Sequence, residues 1–569
     1  YSNVKYFLSL GRSYFEGINV AHARQIMGSI NKGAKLVVVD PRFSITAAKA
    51  HEWFDIKPGT DLAMVLAIEH VLIRDGLYDR DFIEKYTVGF EQLKNSVQQY
   101  TPQWAEKETG IKAADIERIA KEMAAAKPRA IIDWGWRTCT SEEEFELRRA
   151  ILITNLLLGS FEVPGGMFLR KNAGFVNGMA VKPLVQGITQ PKIPAYPKSK
   201  PRVDGAGVKG HPNQFVPASY GVVHQIPDFI LSGNPYPIKG WFVYRNNPMI
   251  TQPDTNRLIE AVKKLDLMVV CDIYMTDTAW YADVVLPESS FLERDEGFND
   301  ASGGSPVYTL RQQIVKPVGD TRPHWQIFNE LGSKMGLGAY FPWKDIEDLR
   351  LTQMGGKADL VKTAKEKGFV NVGMSGLFLR DKNSVANFVK KYPEMSSLVN
   401  EQGIIDKPIL NLKTPSKKIE LFSAAAEEHS KRGVPVYRPV KLKEDKELYF
   451  VQGKIAIKTN GASHNVPWLN ALMPGNRLWI HPETAKQLGV ADGDTVEMTS
   501  KVGKQTVKVF LNSGIRKDTV FAYFGYGRIS PGLKRAYKQG VNTCIMLPSV
   551  TAPIAAINVH TTGVTIKKV

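Results

Sequence analysis

Two apolar runs in this chain stop on an acidic residue: Ala34–Val39 runs into Asp40, and Leu267–Val270 runs into Cys271-Asp272. In open parallel sheets, ligands sit outside the carboxyl ends of the strands. A carboxylate placed there accepts hydrogen bonds from ribose hydroxyls or from a guanine edge. Gly11-Arg12-Ser13 follows the short apolar run Lys5–Leu10 and offers backbone N–H groups and a cation to a pyrophosphate. Gly59-Thr60-Asp61, after Pro58, adds a turn and a further acceptor at a helix start. Taken singly, each feature has a plain structural explanation. An Asp at a strand end is often a helix N-cap, and LGRS is less specific than a full GxGxxG. Two copies of the same layout point to two nucleotide-like ligands.

Trp134-Gly135-Trp136-Arg137-Thr138 also stands at a strand end. Core tryptophans with a surface Arg fit this run as well as an Arg at a substrate pocket does. In the second reading, the planar and permanently charged fork of Arg137 would bind two oxygens of an oxyanion. His22 and His51 read as surface or satisfied core residues, and His324 as a packing residue near a helix start. The cysteines are Cys139, Cys271 and Cys544, without a CxxC, so they read as buried thiols rather than as cluster or zinc ligands.

The elements that must position these residues alternate strand and helix. Asn19–Ile30, Leu62–Arg74, Ala113–Ala126 and Glu142–Leu158 have helical spacing, and Arg129–Asp133 reads as a strand. This βαβ rhythm predicts a doubly wound sheet. Residues 171–219 are rich in Pro, Gly and Lys and predict an irregular excursion. A second α/β rhythm follows, with strands over Gly240–Tyr244, Leu267–Val270 and Asp283–Leu286 and a helix over Thr255–Leu265. Phe341–Lys407 reads as mostly helical and polar. From about Leu448, short strands with glycine turns predict a β-barrel with an inserted helix, Pro482–Leu488. The expected fold class is α/β: two doubly wound Rossmann-like domains and a C-terminal double-psi-type β-barrel. The expected limits are 1–170 and 220–345 for the α/β domains, 171–219 for the excursion, 346–410 for the helical segment and 411–569 for the barrel.

The chain has 569 residues, 43% hydrophobic and 23% charged, an ordinary globular balance. The net charge is +17. Lys and Arg are scattered, without a basic run interleaved with aromatics, which argues for a solvated surface rather than nucleic-acid binding. No apolar run is long enough to span a bilayer.

The ordered phrases SLGRSYFEG, GAKLVVVDPRFS, IKPGTDLAMVLAI, DWGWRTCT, LLLGSFEVPGG, YRNNPMITQPD, VVCDIYMTDTAWYADVVLPESSFLERD, TPSKKIELFS, LWIHPETAKQLGVADGDTVEMTS and GVNTCIMLP resemble the dimethyl-sulfoxide-reductase family of molybdopterin oxidoreductases. The wording GWRTCT, TRPHWQIFNELG and AYFPWKDIEDL is most similar to the polysulfide/thiosulfate reductase branch, with tetrathionate and arsenate reductases as neighbours. The resemblance implies a catalytic subunit holding molybdenum-bis(molybdopterin guanine dinucleotide), one guanosine per α/β domain. Carried over by position, Gly11, Arg12, Ser13, Asp40, Arg42, Gly59, Thr60 and Asp61 would face one nucleotide. Asn246, Asn247 and Asp272 would face the other. The barrel would close over both pterins through VQGKIAIKTNGASHN, with Gln452, Gly453, Asn460, Ser463, His464 and Asn465 as contacts, and through Asn542. Without the family context, SHN is an ordinary turn with a helix cap.

The resemblance also implies a [4Fe-4S] cluster motif and a cysteine ligand to the metal, both expected before Tyr1, since none of the three cysteines stands in the matching context. It implies an iron–sulfur electron-transfer subunit, a quinol-linked membrane anchor subunit, and a place on the periplasmic face of the cytoplasmic membrane. Arg137 would meet a small anionic sulfur or arsenic substrate. A non-catalytic scaffold that keeps the cofactor fold is the competing reading, against which the cofactor-facing motifs in both halves argue. A nicotinamide-dependent dehydrogenase is disfavoured by the absent GxGxxG and the barrel tail.

Overall fold

The computed structural model describes residues 1–16, 19–135, 141, 143–169, 189, 193–195, 202–214, 216, 221–301, 307–371, 376–550 and 560–569, with backbone alone at 171–172 and 175–176. The first α/β domain is built on β1 (Tyr6–Leu10), α1 (Val20–Ile30), β2 (Lys35–Val39), β3 (Glu52–Phe54), α2 (Asp61–Arg74), β4 (Ala130–Trp134) and α3 (Glu144–Leu157). Its sheet has the order β3-β2-β1-β4, all parallel, with Tyr6 beside Lys35 on one side and beside Ala130 on the other. Every residue of β1 is buried, and so are Leu36–Val39 of β2, because helices cover both faces. α1 covers one face and buries only Ile26 and Ser29. α2 covers the other and is buried along 61–69, which explains its almost uninterrupted apolar sequence. The α3 residue Asn155 ties helix to sheet: its Oδ1 accepts from Ile132 N (2.8 Å) and its Nδ2 donates to Ile132 O (3.0 Å).

The second α/β unit has a parallel sheet of β5 (Gly240–Tyr244), β6 (Leu267–Asp272) and β7 (Val284–Pro287), in the order β7-β6-β5. The helix expected to reach Leu265 stops at Val262. Beside this unit lies an antiparallel hairpin, Phe298–Ala301 with Val307–Leu310, which the sequence pattern did not reveal. Phe369–Asn371 pairs with its second strand. The helical stretch after Phe341 is therefore interrupted, and two cores share it. Met354, Val361 and Ala364 pack under the hairpin, whereas Leu379, Val385, Phe388, Ile405 and Ile409 join the core of the first domain.

The C-terminal part is a closed six-stranded barrel. Its strands are β8 (Leu448–Gly453), β9 (Leu478–Ile480), β10 (Thr495–Thr499), β11 (Lys504–Leu511), β12 (Thr519–Tyr523) and β13 (Thr562–Lys568). Their order is β8-β12-β9-β11-β10-β13, mixing parallel pairs (β8 with β12, β9 with β11) with antiparallel ones. The helix at Pro482–Leu488 is present as expected. Strand β9 escapes a sequence reading because three residues show no period.

Asn155→Ala removes both hydrogen bonds to Ile132 and leaves two buried backbone groups unpaired. The expected loss is about 1–3 kcal/mol, read as a lower denaturant midpoint for the first domain.

Candidate functional site

The carboxyl ends of β1, β2 and β4, together with the turn after β3, open onto one cavity of about 830 Å³. That volume lies in the range of cofactor and small-molecule sites. Gly11, Arg12, Ser13, Asp40, Arg42, Gly59 and Asp61 line it from the first domain, and Gln452, Gly453 and Asn460 line it from the barrel. Thr60 is buried beside them, its hydroxyl donating to Lys57 O (2.7 Å). Two of the lining glycines are required by close packing against neighbouring side chains. A Cβ on Gly59, whose φ is +86°, would lie 2.6 Å from Leu442 Cδ1, and one on Gly453 would lie 2.9 Å from Phe521 Cε2. The Gly11 N–H, expected to face a phosphate, is spent on Val39 O (2.9 Å). Gly11 thus contributes space and a φ of +54° rather than a donor.

The cationic side chains of the first-domain wall carry carboxylate partners. Arg42 is buried and donates Nη1 to Glu16 Oε1 (2.9 Å) and Nη2 to Glu16 Oε2 (2.5 Å). Its guanidinium stands 4.5 Å from the Phe521 ring centre, with Trp479 and Tyr523 at 5.6 and 5.7 Å. Arg12 donates to Asp133 Oδ1 (2.7 Å), whose other oxygen takes the Tyr14 hydroxyl (2.9 Å) and the Tyr1 hydroxyl. Arg148 donates Nε to Glu144 Oε1 (2.9 Å) and lies 5.7 Å from the Trp134 ring centre. Burial pushes the Asp40 carboxyl up to about 6, opposed by the charge of Arg42 and by its backbone N–H. Burial pushes Asp61 up to about 7. A wall whose arginines are already paired, with two carboxyls near neutrality, suits a ligand that presents donor edges as well as charge.

The second set of expected residues lies elsewhere. Asn246 and Asn247 follow β5, and Asp272 ends the neighbouring β6, so the fold does bring them together. Asn246 is exposed. The Asn247 amide donates to Asp277 Oδ2 (2.9 Å) and accepts from Thr278 N (3.0 Å) and Thr278 Oγ1 (2.7 Å). Asp272 accepts from Ile273 N (2.7 Å), and burial raises its pKa. In the barrel motif, Ser463 Oγ accepts from Thr459 N (2.7 Å) and Asn465 Oδ1 accepts from Arg535 N (3.0 Å). His464 Nε2 bonds Asn460 O (2.6 Å), and its buried Nδ1 has no partner. Burial, with the charges of Arg528 and Lys458, lowers His464 to about 3, so the ring is neutral. Asn542 Nδ2 donates to Met249 O (3.0 Å) and its Oδ1 accepts from Cys544 N (3.0 Å), joining the barrel to the second unit.

Arg137 and Cys139 lie outside the described residues. Trp134 and Gly135, which precede them, line the cavity. Cys271 and Cys544 are buried, and the Cys544 thiol donates to Ile250 O (2.9 Å). His324 begins the helix His324–Lys334, 3.3 Å from Glu288. Sequence reasoning missed Glu16, Asp133, Arg148, His560 and Thr561, all in the cavity wall. Only Glu144 and Arg148, four apart on a helix, left a readable signal.

A cavity at the carboxyl ends of a parallel sheet, capped by a closed barrel, defines a binder of a large cofactor carrying a nucleotide. The family model of molybdopterin oxidoreductases matches residues 2–334, and that of the molybdopterin dinucleotide-binding domain matches residues 448–562. The chain belongs to the molybdopterin oxidoreductase family. It is 41% identical over 568 residues to the thiosulfate reductase molybdopterin-containing subunit PhsA of Salmonella typhimurium, covering 100% of this chain and 74% of that protein. It is 27% identical to the arsenate respiratory reductase molybdopterin-containing subunit ArrA of Shewanella sp. (strain ANA-3), over 95% of this chain and 71% of that one. The solved structure of acetylene hydratase from Pelobacter acetylenicus shares the fold, with a TM-score of 0.78 at 22% identity, over 100% of this chain and 78% of that chain.

Glu16→Ala leaves Arg42 buried and unpaired. The expected cost is about 3–5 kcal/mol, seen by calorimetry as a lower unfolding temperature. Asp61 has a folded pKa near 7 against 3.8 for the free side chain. The stability linked to it is therefore fully present below pH 3.8 and is lost as pH rises through about 7. In cofactor-free protein, Asp61→Asn should lose less stability than the wild type between these two limits, measured by denaturation at each pH.

Proposed function

We propose that this chain is the catalytic part of a molybdenum-bis(molybdopterin guanine dinucleotide) reductase that acts on sulfur compounds such as thiosulfate or polysulfide by two-electron reduction. The observation that carries this reading is the 41% identity, along the whole chain, to a thiosulfate reductase subunit. The cavity supports it through its volume and its polar lining. Asp40 and Asp61 would accept from the guanine or ribose, Arg12 and Arg42 would set the charge, and Gln452, Gly453 and Asn460 would read the pterin from the barrel. Asn246, Asn247, Asp272, Ser463, His464, Asn465 and Asn542 belong in this proposal to the second nucleotide and its pterin. The bound cofactor supplies the two-electron chemistry; the protein orients it, excludes water and sets the surrounding charge.

Electrons would arrive from an iron–sulfur subunit linked through a quinol-oxidising membrane anchor, by way of a [4Fe-4S] cluster. The complex would face the periplasm. Arsenate reduction is the second reading, favoured by the similarity to the arsenate reductase subunit.

The test is metal analysis of the purified full-length protein, followed by assay of thiosulfate, polysulfide, tetrathionate and arsenate with a reduced dye. The expected result is bound molybdenum with turnover of thiosulfate or polysulfide. Molybdenum with turnover of arsenate alone moves the assignment to the second reading, and cofactor without turnover of any substrate supports a scaffold. In the active enzyme, Arg137→Ala should raise the KM for the anionic substrate at least about tenfold, in keeping with loss of a charge-assisted pair. Unchanged kinetics would remove Arg137 from the site.

A further inference from the structure

Arg12, Arg42 and Arg148 all line the first-domain side of the cavity, but they are held in different ways. The two Nη groups of Arg42 meet both oxygens of Glu16, and its side chain is 6% exposed. Arg12 shares Asp133 with two tyrosines, whose hydroxyls take the second carboxylate oxygen. Arg148 donates Nε (2.9 Å) and Nη2 to one and the same oxygen, Glu144 Oε1. The other oxygen, Glu144 Oε2, is buried without a partner. A pair that served stability alone would satisfy both oxygens, as Glu16 does for Arg42. The burial is one-sided too: the Glu144 side chain is 1% exposed, whereas Arg148 keeps 22% where it lines the cavity.

The guanidinium is a planar fork whose N–H groups point in fixed directions. With its Nε/Nη2 edge turned to Glu144, the Nη1/Nη2 end points away from that carboxylate. Glu144 and Arg148 lie one turn apart at the start of α3, so the helix backbone fixes their spacing. The Trp134 ring centre, 5.7 Å from the guanidinium, bounds it on another side. Trp134 and Gly135 line the same cavity. Burial raises the Glu144 carboxyl to about 7, against the charge and hydrogen bond of Arg148 and helped by the charge of Asp61. Near neutral pH the carboxyl therefore offsets only part of the Arg148 charge.

We propose that Arg148 is an oxyanion-binding residue of the cavity and that Glu144 is the residue that positions it. The ligand chemistry is a tetrahedral anionic group with at least two terminal oxygens, which a planar fork can bridge. The sulfur-bound oxygens of thiosulfate and the phosphates of a dinucleotide cofactor both have it. This deepens the sulfur-reductase reading and rests on it for the substrate. Arg42 lacks the exposure for this task, and its fork is already filled by Glu16. Arg148 has a buried anchor on one edge and the cavity on the exposed side, the arrangement that fixes a cation without cancelling it.

The test compares the full-length wild-type holoenzyme with Arg148→Lys and with the double variant Glu144→Gln/Arg148→Gln, which removes the cation without stranding a buried carboxylate. Guanine nucleotide content is measured for each, with the KM for thiosulfate and the calorimetric Kd for sulfate, a non-reacting oxyanion. In the double variant, KM and Kd should rise about tenfold or more with kcat changed less, as expected for a lost charge-assisted pair. Arg148→Lys should fall between it and the wild type, since it keeps the charge but not the fork. Raised constants at unchanged nucleotide content assign the site to the substrate. Nucleotide content that falls, with KM unchanged in the loaded fraction, assigns it to a cofactor phosphate. Glu144→Leu, which keeps the Arg148 charge and removes its anchor, should raise KM severalfold at little change in kcat, and Glu144→Gln, whose amide oxygen still accepts, should restore it. Unchanged KM, sulfate Kd and nucleotide content in both Arg148 variants overturn the proposal, and a wild-type KM in Glu144→Leu overturns the positioning role. If the wild-type holoenzyme reduces no sulfur compound, the functional reading has failed, and sulfate binding and nucleotide content still decide whether Arg148 binds an oxyanion.

Discussion

Arg42 sits where the first α/β domain meets the barrel. Taking a guanidinium out of water costs several kcal/mol, and three features offset that cost. Glu16 accepts two hydrogen bonds from it, the Phe521 face lies 4.5 Å away, and the flanking backbone pairs across the interface. Phe43 N donates to Gly514 O (2.7 Å) and Arg516 N donates to Pro41 O (3.2 Å). This docking holds β8 and β12 over the strand ends of the first sheet, where Gln452, Gly453 and Phe521 complete the cavity lining. A Lys at position 42 could not make the same fork, since its charge is a point on a flexible stem.

The second α/β unit meets the barrel through a matching device. Asp277 accepts from Arg528 Nη1 (2.8 Å), from Ile529 N (2.6 Å) and from Ser530 N (3.2 Å), all within a buried contact. Asn247 and Asn542 add amide bonds on the same interface. Arg42, packed on the barrel's Phe521 ring, and the buried Asp277–Arg528 pair thus seat one barrel on two parallel sheets. Removing Asp277 strands the buried Arg528 charge, so the barrel is held in one place relative to the second sheet. A ligand that spans them then meets preformed walls instead of having to order them.

Much of the first domain was legible in the chain. Uninterrupted apolar strands and a helix apolar on nearly every face follow from burial on both sides of a parallel sheet. The motif residues Asp40, Arg42, Gly59, Asp61 and Gly453 do converge on one cavity. Less legible were the three-residue strand β9 and the paired strands Phe298–Ala301 and Val307–Leu310, which are too short to show a period. The sharing of the helical stretch after Phe341 between two cores was also hidden, because helical spacing names the apolar face and not its neighbour.

From the sequence alone follow the class of fold, the family, and the chemical types at each strand end, since these depend on local periodicity and ordered motifs. Tertiary structure decided the pairings. Arg12 belongs to Asp133, Arg42 to Glu16 and Arg148 to Glu144, and the Gly11 N–H is spent within the sheet. It also decided that Asp40, Asp61 and Glu144 titrate near neutrality. Those outcomes depend on burial and on neighbours distant in sequence, and no local pattern of residues encodes the dielectric or the partner that a folded carboxyl meets.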